Sequence, residues 1–287
     1  MEQKPGVPQV LEPLVTRVLA DNPSPFTHTG TQTHLVGTTD LAVIDPGPDD
    51  PAHIDALLKA IDGRPVTAIV ITHTHRDHSP GAAPLKAATG APIVGCAPLA
   101  LDDLGPRADA SFDADYAPDR VLAEGESVAG QGWTLTAIAT PGHTSNHLAF
   151  ALPEAQGGKG ALFSGDHVMG WSTTIVSPPD GDMAAYMDSL TKLQARDDHI
   201  YYPAHGDPVT NPQRLVRGLI GHRKQREGQI VRLLDAEPRT IPAMVERMYV
   251  GIDPRLFPAA ERSVLAHLYD LRDRGLVDGE GETWRKA

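Results

Sequence analysis

The stretch VITHTHRDHSPG, residues 70–81, places four candidate metal ligands within six positions at the end of an apolar run. The four are His73, His75, Asp77 and His78. Because His73 and His75 alternate with a threonine, an extended chain would point both side chains in the same direction. Imidazole and carboxylate groups are the ligands that Zn²⁺ accepts where thiolates are absent. The stretch therefore predicts a site for one or two adjacent metal ions, against the alternative of a polar loop with scattered histidines.

The composition limits the class of protein. The chain has 287 residues, 40% of them hydrophobic, which suits one large domain or a domain with a small appendage. Its 25 basic and 37 acidic residues give a net charge of −12, which disfavours broad nucleic-acid binding. The one cysteine, Cys96, is expected to be a small buried residue in a reducing compartment. Without an apolar signal core or a membrane-length run, we expect a cytoplasmic protein that does not contact membranes; the oligomeric state stays open.

Strand-like and helix-like segments alternate along the chain, which is typical of the α/β class. Strands are predicted at residues 33–37, 41–47, 65–72, 91–96, 133–140, 147–153, 159–166 and 199–206, with a Gly157-Gly158 hairpin turn. Helices are predicted at 49–63, 79–90, 183–196, 212–236, 240–249 and 258–275, followed by a hairpin at 276–286. The polar segment 102–120 is expected to be a surface excursion. In α/β folds, ligands gather where strands end, and the histidines lie there.

Three further ligand-type residues follow predicted strands. They are His143 in TPGHT, Asp166 in SGD and His205 in PAHG. Each is weak evidence alone, since a single histidine in a Gly/Pro turn is usually a polar loop residue. Together with the first stretch, they make five histidines and two aspartates that could form one metal site.

This combination of motifs resembles the metallo-β-lactamase superfamily of hydrolases over roughly the first three-quarters of the chain. The resemblance implies an αββα sandwich with a dinuclear zinc site at one edge, although other divalent metals are possible. It implies that His73, His75 and His143 bind the first metal and that Asp77, His78 and His205 bind the second. Asp166 would bridge the two metals, and Asp77 and Asp166 are the carboxylates expected to take part in catalysis.

Several segments are most similar to the beta-lactamase-like protein 2 branch, whose animal members are endoribonucleases. These segments are NPSPFTHTGTQTHLVG, AAYMDSL, GHRKQREGQI and HLYDLRDRGLV. The resemblance predicts a catalytic domain over residues 1–211 and a small helical, winged-helix-like domain over residues 212–287. Two stretches depart from the branch, residues 30–34 and the apolar residues 169–182, and both are expected near the substrate.

The interpretation we favour is a zinc-dependent hydrolase that cleaves an ester, thioester or related acyl bond. A hydroxide held between two metals would attack the carbonyl carbon. A small-molecule acyl substrate is favoured over RNA because the chain is acidic. The alternatives are a metal-dependent endoribonuclease, a mononuclear iron persulfide dioxygenase and a non-catalytic winged-helix DNA-binding regulator.

Other residues are weaker candidates. Asp45 and His147 are expected to orient metal ligands through hydrogen bonds, although His147 could equally be a core histidine. His34 lies in one of the departing stretches and is a candidate for the substrate pocket. His222, Arg223 and Arg226 share one predicted helix and would bind a substrate phosphate or carboxylate, or else form a salt-bridged face with Glu227. Met169, Trp171 and Ile175 would line the pocket or belong to the core, and His167 is expected in a pocket or at the surface.

Overall fold

A computed structural model describes residues 3–99, 112–155, 159–281 and 283–287. Its first sheet has seven strands in chain order, antiparallel up to the fourth strand and parallel from there on. The strands are β1 (Gln9–Glu12), β2 (Val15–Leu19), β3 (Gln32–Val36), β4 (Leu41–Ile44), β5 (Val66–Ile71), β6 (Ile93–Gly95) and β7 (Arg120–Val121).

The second sheet has five strands in the order β12-β11-β10-β9-β8. They are β8 (Ser127–Gly130), β9 (Trp133–Ala139), β10 (Leu148–Leu152), β11 (Ala161–Gly165) and β12 (Ile200–Pro203). The pairs are antiparallel except for β11 and β12, which run parallel. Both sheets therefore bring parallel strand ends to one edge of the molecule, where loops can gather polar side chains.

The main core cluster fills the space between the two sheets and extends through the first sheet to the helices on its outer face. Leu35 and Ile69 of the first sheet pack in one buried cluster with Leu135, Phe150 and Phe163 of the second. The neighbours of Phe150 in the sequence, Ala149 and Ala151, belong to a second cluster on the outer face. This alternation follows from the strand, in which successive side chains point to opposite faces.

Helices cover the outer faces of both sheets, which completes the predicted four-layer α/β sandwich. The helices before the C-terminal portion are α1 (Pro51–Ile61), α2 (Ala82–Thr89), α3 (Met183–Gln194) and α4 (Pro212–Ala236). Helix α1 begins at Asp50, whose side chain accepts the Ala52 amide at 3.0 Å, and ends at Asp62 in the left-handed conformation. Its buried face, which includes Ile54 and Leu57, packs in the main core cluster.

The C-terminal portion has a third core of its own. It contains α5 (Ile241–Met248), α6 (Phe257–Asp273), a 3-10 turn at Pro254–Leu256 and a small sheet of β13 (Arg239–Thr240), β14 (Val277–Glu280) and β15 (Thr283–Lys286). Helix α4 joins two cores, because Val216 and Leu219 pack in the second cluster whereas Ile230 and Leu234 pack in the third. Because one helix contributes to both cores, the packing does not mark a boundary at residue 211, and the division of the chain there stays a prediction.

The predicted strands and helices correspond to observed elements, and α4 has the predicted ends. Strands β1, β2, β7, β8 and β13 were not among the predicted strands; β8 packs at the edge of its sheet and has no fully buried residue. The Gly157-Gly158 turn and most of the 102–120 segment lie outside the described residues, although β10 and β11 pair as an antiparallel hairpin requires. Within the described residues, no helix is long and apolar enough to cross a membrane.

Candidate metal centre

The seven candidate ligands lie in loops that follow strands of both sheets. His73 and His75 follow β5, and the loop then turns through Asp77 and His78 into α2. From the second sheet, His143 follows β9, Asp166 follows β11 and His205 follows β12. The structure gathers them in two groups of potential ligand atoms, each within 4.8 Å: His73, His75, His143 and Asp166; and Asp77, His78 and His205.

The first group is a triangle of imidazoles with a carboxylate beside it. Nδ1 of His75 lies 3.0 Å from Nε2 of His73 and 3.0 Å from Nε2 of His143. Oδ2 of Asp166 lies 3.6 Å from Nε2 of His143. All four residues are buried, at most 7% exposed, so water cannot solvate these atoms freely.

The second group joins the first through the same aspartate. Oδ2 of Asp77 lies 3.0 Å from Nε2 of His205 and 3.4 Å from Nε2 of His78. The other oxygen of Asp166, Oδ1, lies 3.3 Å from Nε2 of His205 and 3.5 Å from Nε2 of His78. One carboxylate therefore faces both groups, one oxygen to each.

Hydrogen bonds on the outer side of the rings determine which nitrogen carries the proton. Nδ1 of His143 faces the Ile175 carbonyl at 2.7 Å, and Nδ1 of His205 faces the Gly30 carbonyl at 3.3 Å. Nδ1 of His78 faces the Asp45 carboxylate at 3.0 Å. Carbonyl and carboxylate oxygens only accept, so each Nδ1 must donate, and in the neutral ring Nε2 then presents a lone pair to the centre.

Nδ1 of His73 also carries the proton, because it faces the hydroxyl of Thr72. The Thr72 hydroxyl donates to Oδ2 of Asp45 at 2.7 Å, so its oxygen accepts from Nδ1 of His73 at 3.0 Å. The inward Nε2 of His73 is therefore also a lone pair. Lone pairs and carboxylate oxygens that converge in a buried space repel one another unless a cation lies between them. The residues present thus fit divalent metal ions.

The electrostatics of the second group point the same way. Burial lowers the pKa of His205, but the Asp166 and Asp77 carboxylates outweigh it and raise the pKa to about 10. The same carboxylates raise the pKa of His78 well above its usual range against burial. Conversely, burial raises the pKa of Asp166, but His205 and His78 outweigh burial and hold this pKa well below its usual range. Without a metal, the carboxylates therefore favour a proton on Nε2 of both rings, at the position where a bound metal ion would supply the positive charge instead.

Asp45 and His147 hold the ligands from behind. Asp45 is 2% exposed and accepts the Thr72 amide at 2.8 Å in addition to the bonds above. Nε2 of His147 accepts the backbone amide of Asp166 at 3.1 Å, while its Nδ1 faces the Thr140 hydroxyl at 2.8 Å. His147 thus orients the backbone of the residue that faces both groups.

A cavity of about 430 Å³ lies next to the centre. Ligand pockets usually have volumes of about 300–1,000 Å³. Its wall on the catalytic side comes from residues 24–28 and from the apolar stretch 169–175, which includes Met169, Trp171 and Ile175. Its opposite wall comes from α4 and the C-terminal portion. Ile175 joins the cavity to the centre, because its carbonyl holds His143.

The weaker sequence candidates fall in different places. His222, Arg223 and Arg226 line the cavity, and the proposed partner Glu227 instead pairs with Arg274 at 2.7 Å. His34 lies in the core, with its ring centroid 5.2 Å from that of Phe163.

Two other residues that sequence patterns singled out are also buried. His167, expected in a pocket or at the surface, is fully buried against Tyr186. Cys96 is buried as expected, and burial raises the pKa of its thiol, which disfavours a catalytic role.

Sequence reasoning missed several residues that hold or surround the centre. The hydroxyls of Thr72 and Thr140 contact Nδ1 of His73 and of His147. The signal in the sequence was their position, since Thr72 precedes His73 directly and Thr140 lies three residues before His143. The cavity residues Phe26 and Tyr249 carried no such signal, because they meet only through the fold.

Comparison with known proteins identifies the two parts of the chain. Residues 27–205 match a family model described as the metallo-beta-lactamase superfamily, and residues 240–284 match one described as the beta-lactamase associated winged helix domain. The winged-helix character predicted for the C-terminal portion is thus confirmed.

Individual relatives match most of the chain. A beta-lactamase-like protein 2 homolog from Caenorhabditis elegans is 34% identical over 276 residues, covering 93% of this chain and 87% of that protein. An atrochrysone carboxyl ACP thioesterase from Aspergillus fumigatus is 31% identical over 249 residues, covering 83% and 71%. The crystal structure of a beta-lactamase domain protein from Burkholderia ambifaria has a TM-score of 0.81 at 21% identity, covering 100% and 95%.

Proposed function

The chain belongs to the metallo-beta-lactamase superfamily of hydrolases, and from that membership we propose that it uses two zinc ions to cleave a thioester, ester or related acyl bond of a small molecule. The observation that carries the proposal is a lone-pair cluster beside a largely apolar cavity of acyl-group size, whose wall residue Ile175 faces the ligand His143 through its carbonyl. Relatives named as thioesterases, at 30–32% identity, support the same chemistry.

The chain's own residues would divide the work. His73, His75 and His143 would hold one metal, Asp77, His78 and His205 the other, and Asp166 would reach both. Metals bound in this way supply a water acidic enough to ionise near neutral pH and an electrophile for the carbonyl oxygen. Asp77 and Asp166 would be the catalytic carboxylates: Asp166 would give one oxygen to each metal, and Asp77, which faces the centre, would hold the proton that leaves this water. Trp171 and Met169 would cover the acyl group and exclude water.

Metal counting and acyl hydrolysis on one preparation test the proposal. Protein purified without added metal should contain two zinc-type ions per chain by elemental analysis. It should hydrolyse an S-acyl N-acetylcysteamine thioester, and His75→Ala should lose this activity. One iron per chain, with no second site filled by added zinc, would favour the persulfide dioxygenase instead.

An endoribonuclease is the second candidate, favoured by the similarity to beta-lactamase-like protein 2 homologues. RNA binding depends on basic surface and weakens steeply with salt. The net charge of −12 argues against such a surface. Single-stranded RNA should be assayed beside the thioester, and RNA cleavage that is absent in His75→Ala, without acyl hydrolysis, would reverse the order of the two candidates.

A further inference from the structure

The cavity contains positive charge that has no acidic partner among the described residues. Arg223 is 3% exposed, and its guanidinium donates to the Thr174 carbonyl and to the Ser263 hydroxyl at 3.3 Å. Arg226 donates to Gln229 at 3.0 Å and to the Met248 carbonyl at 2.7 Å. All of these acceptors are neutral. Within the part of the chain that the structure describes, Nε of both arginines lacks a hydrogen-bond partner.

Two acidic residues of helices α4 and α6 pair elsewhere and do not neutralise this charge. Glu227, next to Arg226, pairs with Arg274 at 2.7 Å, and Asp270 pairs with the same arginine at 2.9 Å. His222, whose Nδ1 also lacks a partner among the described residues, adds no negative charge. Burial, followed by the charges of the two arginines, lowers its pKa to about 4, so its ring is neutral at physiological pH.

A buried guanidinium without a counter-ion is costly, because its charge is removed from water. The rings of Tyr186, 5.1 Å from Arg223, and Tyr249, 4.2 Å from Arg226, compensate this charge only in part. An anion bound in the cavity would supply the compensation, because the guanidinium groups of Arg223 and Arg226 line it and attract negative charge. The basic side chains line the cavity together with aromatic and aliphatic groups. Among these, Trp171 stacks on His28 with ring centroids 4.8 Å apart, and Ile252 and Leu256 lie nearby. The cavity therefore fits a molecule with an apolar body and an anionic group.

One short segment connects this cavity to the metal centre. The Thr174 carbonyl accepts from Arg223, and the Thr174 hydroxyl donates to the backbone carbonyl of Asp166 at 2.7 Å. The next residue, Ile175, holds His143 through its carbonyl. A molecule with its reacting bond at the metals would thus extend along this segment toward the arginines.

We propose that Arg226 and Arg223 select substrates by binding an anionic group remote from the scissile acyl bond. The inference rests on the proposed function and deepens it by naming a substrate class: an acyl thioester or ester with a second, anionic group. That group is a carboxylate on the acyl part or a phosphate on the thiol carrier.

Two matched substrate pairs distinguish these sources. The first pair is S-suberoyl N-acetylcysteamine and its ω-carboxamide, which differ only in the acyl charge. The second is S-octanoyl coenzyme A and S-octanoyl N-acetylcysteamine, which differ in the carrier. Wild-type kcat/KM should favour the anionic member of one pair by about tenfold or more, the usual value of a hydrogen bond to a charged group.

Variants on one helix then test the assignment. Arg226→Gln should reduce that preference about tenfold through KM, and Arg226→Lys should retain part of it because it keeps the charge. Arg217→Gln is the control, since Arg217 is exposed on α4 and does not line the cavity. Loss of preference in the first pair assigns the anion to the acyl part, and loss in the second assigns it to the carrier.

A binding measurement separates this inference from the proposed function. Titration calorimetry with 4-phenylbutyrate and its amide uses probes without a scissile thioester. Acid-selective binding that Arg226→Gln weakens would uphold the site even if no thioester is hydrolysed. Equal turnover within both pairs, together with equal binding of acid and amide, would overturn the site and leave the proposed hydrolysis standing.

Discussion

Replacement of Asp45 by asparagine tests how the candidate metal ligands are oriented, because this side chain controls one ring in each group. It accepts from Nδ1 of His78 at 3.0 Å and from the Thr72 hydroxyl at 2.7 Å, and that hydroxyl accepts from His73. Asparagine keeps the shape of the side chain and tolerates the backbone φ of 47° at this position. It offers one acceptor oxygen in place of two.

The expected loss of affinity follows from these contacts. If the remaining oxygen accepts the Thr72 amide, the new NH₂ group faces His78 and the Thr72 hydroxyl as a donor. His78 must then carry its proton on Nε2, toward the centre, and the freed Thr72 hydroxyl can donate to His73, which shifts that proton as well. Loss of a bond that orients a ligand typically costs about 10–100-fold in metal affinity, or about 1.4–2.8 kcal/mol. Both metals should weaken, because each group contains one affected ring.

Competition with a chromophoric chelator would measure the zinc affinity of the variant. Asp62→Asn is the matched control, because Asp62 also has a positive φ, 51°, but ends helix α1 away from the centre. Circular dichroism would establish that both variants fold. Wild-type zinc affinity in Asp45→Asn would refute the proposed proton arrangement.

Three further changes probe the bridge, the backbone and the core. Asp166→Ala should fold but hold fewer than two metals per chain by elemental analysis, because both groups lose a carboxylate oxygen; full metal content would contradict its bridging role. Gly165→Ala should lower stability by about 1–3 kcal/mol more than Gly132→Ala in urea unfolding, since its Cβ would lie 2.6 Å from Nε2 of His147 whereas Gly132 faces open space; equal losses would contradict this. Burial, with a smaller effect of Arg17, lowers the pKa of His34 to about 3, so folding excludes a proton that the unfolded chain binds below about pH 6.5. Between pH 7 and 4.5, the free energy of unfolding of wild-type, metal-free protein should therefore fall by about 2–3 kcal/mol more than that of His34→Phe. Equal decreases for the two proteins in urea unfolding would show that His34 is not the group responsible.

The sequence allowed the layered fold to be predicted because its strands are short apolar runs with clear ends. The run before His73 is such a strand, and the proline at the start of α4 similarly marks where a helix begins. Strand β8 was missed because its residues alternate only weakly in polarity, and its pairing with β9 makes it a strand. Such an edge element depends on its neighbour and not on its own pattern.

The candidate metal residues could be proposed from the sequence because four of them are close together in the chain. Asp45 and His147 could also be proposed as orienting residues, but the ligand that each one contacts could not, since Asp45 reaches His78 across 33 positions. The sequence also could not show that His34 lies in the core whereas Arg223 lines the cavity. Both are polar residues in apolar surroundings, and only the packing of separate elements puts one in the core and the other on a cavity wall.

The continuity of α4 has a consequence for how such a protein diversifies. The seven candidate metal residues all precede residue 206, whereas Tyr249, Leu256 and Ser263 of the cavity wall come after residue 240. A recombination event that exchanged only the later segment would leave the reactive centre unchanged and replace part of the wall. Reactivity and the shape of the far cavity wall can thus be inherited separately, whereas the arginines of α4 would be inherited with the reactive centre.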